Sequence, residues 1–274
     1  MRVLILHPGA MGASIAAAVS SVGHEVIGVA SGRSRATIDR AREVQLTLVE
    51  TLEEAMSRVD VVLSICPPEA ALDVAHEVQA TGYDGIYVDG NAVSPETATA
   101  IGELFDNNFV DGGIVGPPAW RAGATRFYLS GAMAKDVVVL FADSLVTARA
   151  ISGGAGAASA VKMCYAAYTK GSSALVLAIR ALAEDNGVTE TLLAEWDISQ
   201  KGMRNSSERS ALGTSPKAWR FAGEMREIAA TFDAAGLPNG FHLAAAEIYE
   251  RMAHFKNDDP ARLEQVIEAL LPKR

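Results

Sequence analysis

Short apolar, β-rich runs alternate with amphipathic segments through the first half of the chain, and helical spacing alone fills the second. Arg2 to Leu6 reads as a strand. It breaks at His7-Pro8-Gly9-Ala10-Met11-Gly12, and a small-residue helix pattern follows from Ala13 to Val22. Glu25 to Ala30 is a second strand. A polar helical stretch from Arg35 to Val44, a short strand from Gln45 to Val49 and a helix from Thr51 to Ser57 come next. Thr51 is the expected N-cap of that helix, with Glu53 and Glu54 in its first turn. Asp60 to Ile65 reads as a buried strand stopped by Cys66-Pro67-Pro68, followed by a helix from Glu69 to Ala80 and a strand from Gly85 to Asp89. Ser94 caps a further helix that has Pro95 at its first position. Phe109 to Asp111 and Arg126 to Ser130 are further strands, and Asp111 to Pro118 reads as a glycine- and proline-rich loop. Strands alternating with helices predict a mostly parallel sheet.

The pattern changes near Ile151. Gly153-Gly154-Ala155-Gly156 leads into one long helical stretch from Ala157 to Asn186, free of proline and ending at Gly187. Glu190 to Trp196, Trp219 to Ala235, Gly240 to His254 and Pro260 to Leu271 then read as helices. The expected organisation is α/β over residues 1–152 and all-α over residues 153–274, with a long interdomain helix. No internal repeat or low-complexity segment interrupts it.

A chain of 274 residues suits two domains, and 49% apolar residues suffice for a substantial core. Aromatic residues are only 6%, so Ala, Val and Leu must fill it. A formal charge of -9 leaves no basic footprint for nucleic acid. Cys66 and Cys164 lie in apolar stretches with no C-x-x-C pair, which suits a reducing cytosol and predicts neither disulfide nor metal site. The N-terminus enters a strand directly, so no signal peptide is expected. No apolar run is long enough to span a bilayer. These observations together predict a cytoplasmic protein that acts on a small molecule.

Strand, tight glycine turn and helix bring backbone N–H groups onto a pyrophosphate. His7, Pro8, Gly9, Ala10, Met11 and Gly12 are therefore candidate cofactor-binding residues, although His7 occupies the first glycine position of G-x-G-x-x-G. After the second strand come Ser31, Arg33 and Ser34, with no acid before Asp39. An arginine among hydroxyls fits the 2′-phosphate of NADP better than the free ribose of NAD. An ordinary polar turn is the other reading. Cys66, Pro67 and Pro68 are either a wall for the nicotinamide ribose or a plain strand stop. Asn91 suits a cofactor ribose or a substrate oxygen, or is a turn asparagine. Gly112, Gly113, Val115 and Gly116 lie where a ligand could approach the backbone closely.

Lys162 stands in the long helix among Ala157, Ala158, Ala160, Val161, Met163 and Cys164. A lysine in such surroundings must pair, snorkel or work. Beside a nicotinamide site it is the candidate proton donor, since hydride transfer to a carbonyl leaves an alkoxide. Tyr165 shares roughly its face.

These motifs together resemble the β-hydroxyacid dehydrogenase and 6-phosphogluconate dehydrogenase superfamily. Gly9-Ala10-Met11-Gly12 resembles its G-x-M-G turn, and Gly23-His24-Glu25-Val26 its A-G-H-x-V approach to the second strand. Asp111 to Pro117 lies where that family has its substrate loop, D-A-P-V-S-G-G, and Gly153 to Lys162 where it has G-x-x-G-x-G-x-x-x-K. The chain is most similar to small bacterial oxidoreductases of this superfamily whose helical region is a domain of unknown function. The resemblance implies a Rossmann domain, a nicotinamide cofactor, Lys162 as the catalytic general acid/base, and a substrate site built from the loop, Asn91 and the helical half. It departs at the family serine, here Val115, at the asparagines after the lysine, here Tyr165 and Ala166, and at the later K-D pair, here Arg226-Glu227. Val115, Trp120, Tyr165 and Trp219 suggest a more apolar pocket, and Arg226 and Trp219 are expected at its wall. The leading expectation is an NADP-dependent oxidoreductase acting on alcohol and carbonyl groups. The alternatives are an imine reductase of the same fold and an NADP-binding sensor or scaffold without turnover. Ala160, Val161, Cys164, Ala167, Tyr168, Gly171, Ala174, Leu175, Ala178 and Leu182 form a stripe on the long helix. That stripe and the resemblance predict a homodimer through the helical half. The alternative is a monomer whose own later helices cover it.

Overall fold

The computed structural model describes residues 1–257 and 262–272. The first half alternates strands and helices. It runs β1 (Arg2–Ile5), α1 (Ala10–Ser20), β2 (Glu25–Val29), α2 (Arg35–Glu43), β3 (Thr47–Val49), α3 (Leu52–Met56) and β4 (Val61–Ser64). It continues with α4 (Ala71–Ala80), β5 (Ile86–Asp89), α5 (Pro95–Gly102), β6 (Phe109–Val115), β7 (Thr125–Ser130), α6 (Ala134–Val139) and β8 (Val146–Ala150). One eight-stranded sheet has the order β3-β2-β1-β4-β5-β6-β7-β8, antiparallel only between β6 and β7. This is the mostly parallel sheet expected.

Alternation along β1 shows why both faces are covered. Val3 and Ile5 join Ile15 and Val19 of α1 in one core; Leu4 joins Val74 and Val78 of α4 and Ile101 of α5 in the other. Successive side chains of a strand point to opposite faces, so a strand buried on both sides reads as a continuous apolar run. The helix starts follow local capping. Ser34, Thr51 and Ser94 accept from the backbone N–H of Thr37, Glu54 and Thr97 respectively, and Pro95 opens α5.

Four elements differ from the sequence expectation, one of them the short helix α6, in a stretch assigned to no element. The stretch read as a loop from Asp111 is strand as far as Val115, and only the residues from Gly116 onward leave the sheet. Gly112 and Gly113 are glycine here for lack of room and not for a loop. A Cβ on Gly112 would lie 2.6 Å from the Phe127 ring, and one on Gly113 would lie 2.5 Å from the Ala158 carbonyl oxygen. The strand β8 has only Val146 buried, so no apolar run announces it. Helix α9 (below) is polar, with only Ser207 and Ala211 buried.

The second half is helical: α7 (Ala157–Asp185), α8 (Thr189–Ser199), α9 (Met203–Thr214), α10 (Ala218–Ala234), α11 (Gly240–Arg251) and α12 (Leu263–Leu270). The expected start at Pro260 lies outside the described residues, and α12 begins at Leu263 with Arg262 as its N-cap. The chain divides into compact units of Met1–Met163 and Cys164–Arg274. The sequence pattern put the change at 152/153. The first two turns of α7 belong with the sheet because β6 and β7 hold them, as described below. Within the second unit, Lys170 pairs with Glu224 at 2.5 Å and both are largely buried. The Tyr249 hydroxyl donates to the Lys170 carbonyl at 2.8 Å, and Tyr249 meets Phe221 edge-on. No described helix is long and apolar enough to cross a membrane.

Candidate active site

Ligands of open α/β sheets lie beyond the C-terminal ends of the strands. At the end of β1 the chain turns through His7, the buried Pro8 and Gly9 into α1. A Cβ on Gly12 would fall 2.2 Å from the His7 carbonyl oxygen, so only glycine allows the helix this close to the strand. Gly9, by contrast, has nothing within 4 Å of that position, which leaves its side of the turn open. Ala10 is exposed and Met11 packs against the core. Ser14 donates to the Met11 carbonyl at 2.8 Å and accepts from the Ala119 N–H at 2.9 Å, tying the segment after β6 to α1.

At the end of β2 the Arg33 N–H bonds the Ala30 carbonyl across a turn in which Gly32 has φ +71°. Arg33 comes back half-buried, while Ser31 stays exposed and the Ser34 hydroxyl caps α2. The Arg33 Nε and the His7 Nδ1 are both buried without a hydrogen-bond partner. Burial, with the Arg33 charge added, pushes the His7 imidazole down to about 4, so it is neutral near pH 7.

The ends of β4 and β5 are joined by Asn91. Its Oδ1 accepts from the Cys66 N–H at 2.6 Å. Its Nδ2 donates to Asp89 Oδ2 at 2.7 Å and to Ser64 Oγ at 3.2 Å, and its backbone N–H donates to Asp89 Oδ1 at 2.9 Å. Asn91 is thus a buried brace that fixes the Cys66-Pro67 turn. Pro67 is exposed there, and Pro68 starts a short 3-10 helix that leads into α4. Burial, with the nearby Asp89, pushes the Cys66 thiol up to about 12 and keeps it protonated. Burial also raises the Asp89 carboxyl, to about 7, with the Asp111 charge acting in the same direction.

At β6 the buried Asp111 captures the start of α7. Its Oδ2 accepts from the Ser159 N–H at 2.9 Å and its Oδ1 from the Ser159 hydroxyl at 2.6 Å. Ser130, 3.2 Å from Asp111 Oδ2, accepts from the Ala158 N–H at 3.0 Å. One turn along α7, Lys162 Nζ donates to the Ile114 carbonyl at 2.9 Å, near the end of β6. Val115 is buried, and Gly116 turns the chain out of the sheet with φ +122°. Asp89 and Asp111 received no role from the sequence. The available signal was a carboxylate inside each of two apolar strand runs, where burial demands hydrogen-bonded partners.

The first unit therefore brings together the turn from His7 to Gly12, Arg33, Cys66, Asn91, the end of β6 and Lys162. A dinucleotide fits this edge. Space is open at Gly9, the helix start is drawn tight at Gly12, and the two orphaned nitrogens need an outside partner. Three predicted residues lie in the second unit. Tyr165 follows Lys162 along α7 and is exposed. Trp219 is exposed with the Lys256 ammonium 3.8 Å over its ring. Arg226 pairs with Glu250 at the surface. Among the described residues no group of His, Cys, Asp and Glu is arranged to hold a metal ion.

Residues 2–92 match the family of NADP oxidoreductases described as coenzyme F420-dependent, and residues 183–252 match a domain of unknown function, DUF1932. An uncharacterised 28.5 kDa protein of Methanothermus fervidus is 31% identical over 170 residues, 62% of this chain and 66% of that relative. The conserved protein MTH1747, of unknown function and described as similar in structure to 3-hydroxyacid dehydrogenases, is 27% identical. It superposes with a TM-score of 0.68 over 93% of this chain and 98% of its own. Two further structures share the fold at 18% identity. The 3-hydroxyisobutyrate dehydrogenase of Mycobacterium tuberculosis has a TM-score of 0.72, with 98% of each chain covered. A reductive aminase of Aspergillus terreus, in complex with NADPH4, cyclohexanone and allyl amine, has 0.58, with 97% of this chain and 98% of that one covered. With the two family matches, the shared two-domain fold makes the chain similar to nicotinamide-dependent 3-hydroxyacid dehydrogenases, with an NADP-oxidoreductase-type domain ahead of the domain of unknown function.

Proposed function

We propose that the protein is an NADP-dependent oxidoreductase that interconverts an alcohol and a carbonyl group on a small substrate. The observation that carries this reading is the Lys162 ammonium, fixed 2.9 Å from the Ile114 carbonyl at the end of β6, on the same sheet edge as the glycine turn. The nicotinamide, when bound, supplies or takes the hydride. The turn from His7 to Gly12 would hold the pyrophosphate, and Arg33 the 2′-phosphate. Asn91 would shape the wall at Cys66 and Pro67. Lys162 would give a proton to the oxygen of a reduced carbonyl and take it back in oxidation. Its charge would stabilise the alkoxide between those steps. Gly112, Gly113, Val115 and Gly116 shape the strand end beneath it. Tyr165, Trp219 and Arg226 are assigned to substrate on the resemblance alone.

The test is cofactor oxidation with NADPH and a panel of small ketones, aldehydes, 3-oxo acids and imines. Turnover on a carbonyl compound that falls by roughly 10²–10⁴-fold in Lys162→Ala supports the reading. Turnover on imines alone would make the protein an imine reductase. Tight NADPH binding with no turnover on any of them would make it a sensor or scaffold.

The same proposal includes a homodimer in a reducing compartment. Both cysteines are free. Tyr168, Leu175 and Leu182, seven residues apart along α7, are 77%, 46% and 63% exposed. Large apolar side chains repeated on one face of a helix suit coverage by a second copy.

A further inference from the structure

His7 stands where the dinucleotide fingerprint has its first glycine, and a side chain at that place is unneeded for the turn itself. Its Nδ1 is buried with no partner, and so is the Arg33 Nε. The two side chains are electrostatic neighbours, since the Arg33 charge lowers the proton affinity of the imidazole. A buried polar group left unbonded costs about 1–3 kcal/mol, and native structures pair nearly all such groups. Two of them just beyond the ends of the paired strands β1 and β2 point to a partner from outside the chain.

The surroundings define that partner. Glu77 and Cys66 act on Arg33, and Asp89 acts on Cys66. None of the three hydrogen-bonds to Arg33 or His7: the Glu77 side chain is on the exposed face of α4, the Cys66 thiol is protonated, and Asp89 is bonded to Asn91. A guanidinium with no ion pair among the described residues, one strand over from a neutral imidazole, calls for an anion able to bond both. Gly9 and Gly32, on either side, have nothing within 4 Å of a Cβ position, so access is open. The place, outside the ends of β1 and β2, is where the adenosine ribose of a dinucleotide lies.

We propose that His7 and Arg33 form one receptor for the 2′-phosphate, and that the imidazole takes up a proton from solvent as the phosphate engages. The inference rests on the NADP reading above and deepens it. Without the anion, burial and Arg33 both disfavour imidazolium. An opposite charge within about 4–6 Å raises a proton affinity by roughly 1–3 units. That would carry His7 from about 4 to the region of pH 5–7. Affinity for NADPH would then gain up to about tenfold per pH unit as pH falls through the bound-state value, and the gain would stop near the free-state value.

The phosphate itself titrates near pH 6 and is held as the dianion by Arg33, so its own contribution is proton release, of opposite sign. The experiment uses the full chain. The five histidine rings are followed by NMR against pH, alone and with saturating NADPH or NADH, and the His7 signal is identified with His7→Gln. The expected result is a ring that stays neutral to about pH 5 alone, moves its midpoint up by at least one unit with NADPH, and moves little with NADH. Calorimetry in buffers of different ionisation heat gives a second readout that needs no variant. Net proton uptake near pH 6 with NADPH in excess of that with NADH supports the inference. NADPH bound more tightly than NADH with an unmoved His7 midpoint overturns it while leaving the NADP reading intact. NADPH bound no more tightly than NADH overturns both.

Discussion

Replacing Asp89 by asparagine removes a proton that the native state is built to keep. The carboxyl is fully buried at the end of β5, and both its oxygens accept from Asn91. Burial, with Asp111 behind it, raises its pKa from the ordinary 3.8 to about 7. Between those values the folded chain binds a proton that the unfolded chain has released. Stability therefore falls as pH rises across the interval, at about 1.4 kcal/mol per unit. Over roughly three units the loss approaches 4 kcal/mol. Asparagine keeps the shape and cannot ionise, but it offers one acceptor oxygen where Asn91 presents two donors. That mismatch costs about 1 kcal/mol at every pH. At about pH 5 roughly 1.6 kcal/mol of that loss has already occurred, so the variant should be ahead by less than about 1 kcal/mol. By about pH 8.5 its lead should grow to about 3 kcal/mol. The two compact units need not unfold together, so the assay is amide hydrogen exchange in β4, β5 and β6 without cofactor. Subtracting wild type from variant cancels the other titrating groups. A difference that stays flat to within about 0.5 kcal/mol across that range refutes the reasoning.

Arg33→Ala should weaken NADPH binding roughly ten- to a hundredfold and leave NADH nearly unchanged, since one charge-assisted contact to phosphate is worth about 1.5–3 kcal/mol; fluorescence titration of both cofactors checks this. Gly113→Ala places a Cβ 2.5 Å from the Ala158 carbonyl oxygen, so the start of α7 must move and Lys162 with it. With an authentic substrate, kcat should drop at least tenfold while NADPH affinity holds, because a misplaced catalytic group loses oriented proton transfer and not binding. Light scattering at micromolar concentration should return the mass of two chains, and a monomer with full activity would remove the homodimer from the proposal.

The first βαβ unit was legible because its signals are local. An apolar strand, a glycine turn and a small-residue helix are each written within a few positions of one another, and the structure has β1, α1 and β2 there. Capping at Ser94 and Thr51 was legible for the same reason. Gly112 and Gly113 misled because glycine signals both flexibility and crowding. Which of the two applies depends on Phe127 and Ala158, distant in sequence. The strand β8 owes its place to pairing with β7, and the polar α9 to packing that its own spacing does not reveal. Lys162 could be singled out as an odd charge in an apolar helix. Its fixed point, the Ile114 carbonyl, is a backbone atom 48 residues away and carries no sequence signal. Asn91 was legible as a polar residue at a strand end. Its part as a brace among Asp89, Ser64 and Cys66 depends on how neighbouring strands align.

The capture of α7 by Asp111 bears on what the protein can select for. A helix N-terminus carries roughly half a positive charge and is a common seat for anions. In α7, 29 residues long, the opening N–H groups of Ala158 and Ser159 already face Ser130 and the Asp111 carboxylate. The macrodipole of the longest helix is neutralised from within, one turn before Lys162. On the proposed reading, a substrate carboxylate near Lys162 would gain nothing from the helix axis, and within the first unit discrimination between acids and their neutral esters or amides would fall to the lysine charge. The first unit would then be tuned to the reacting oxygen and nearly indifferent to the charge beside it.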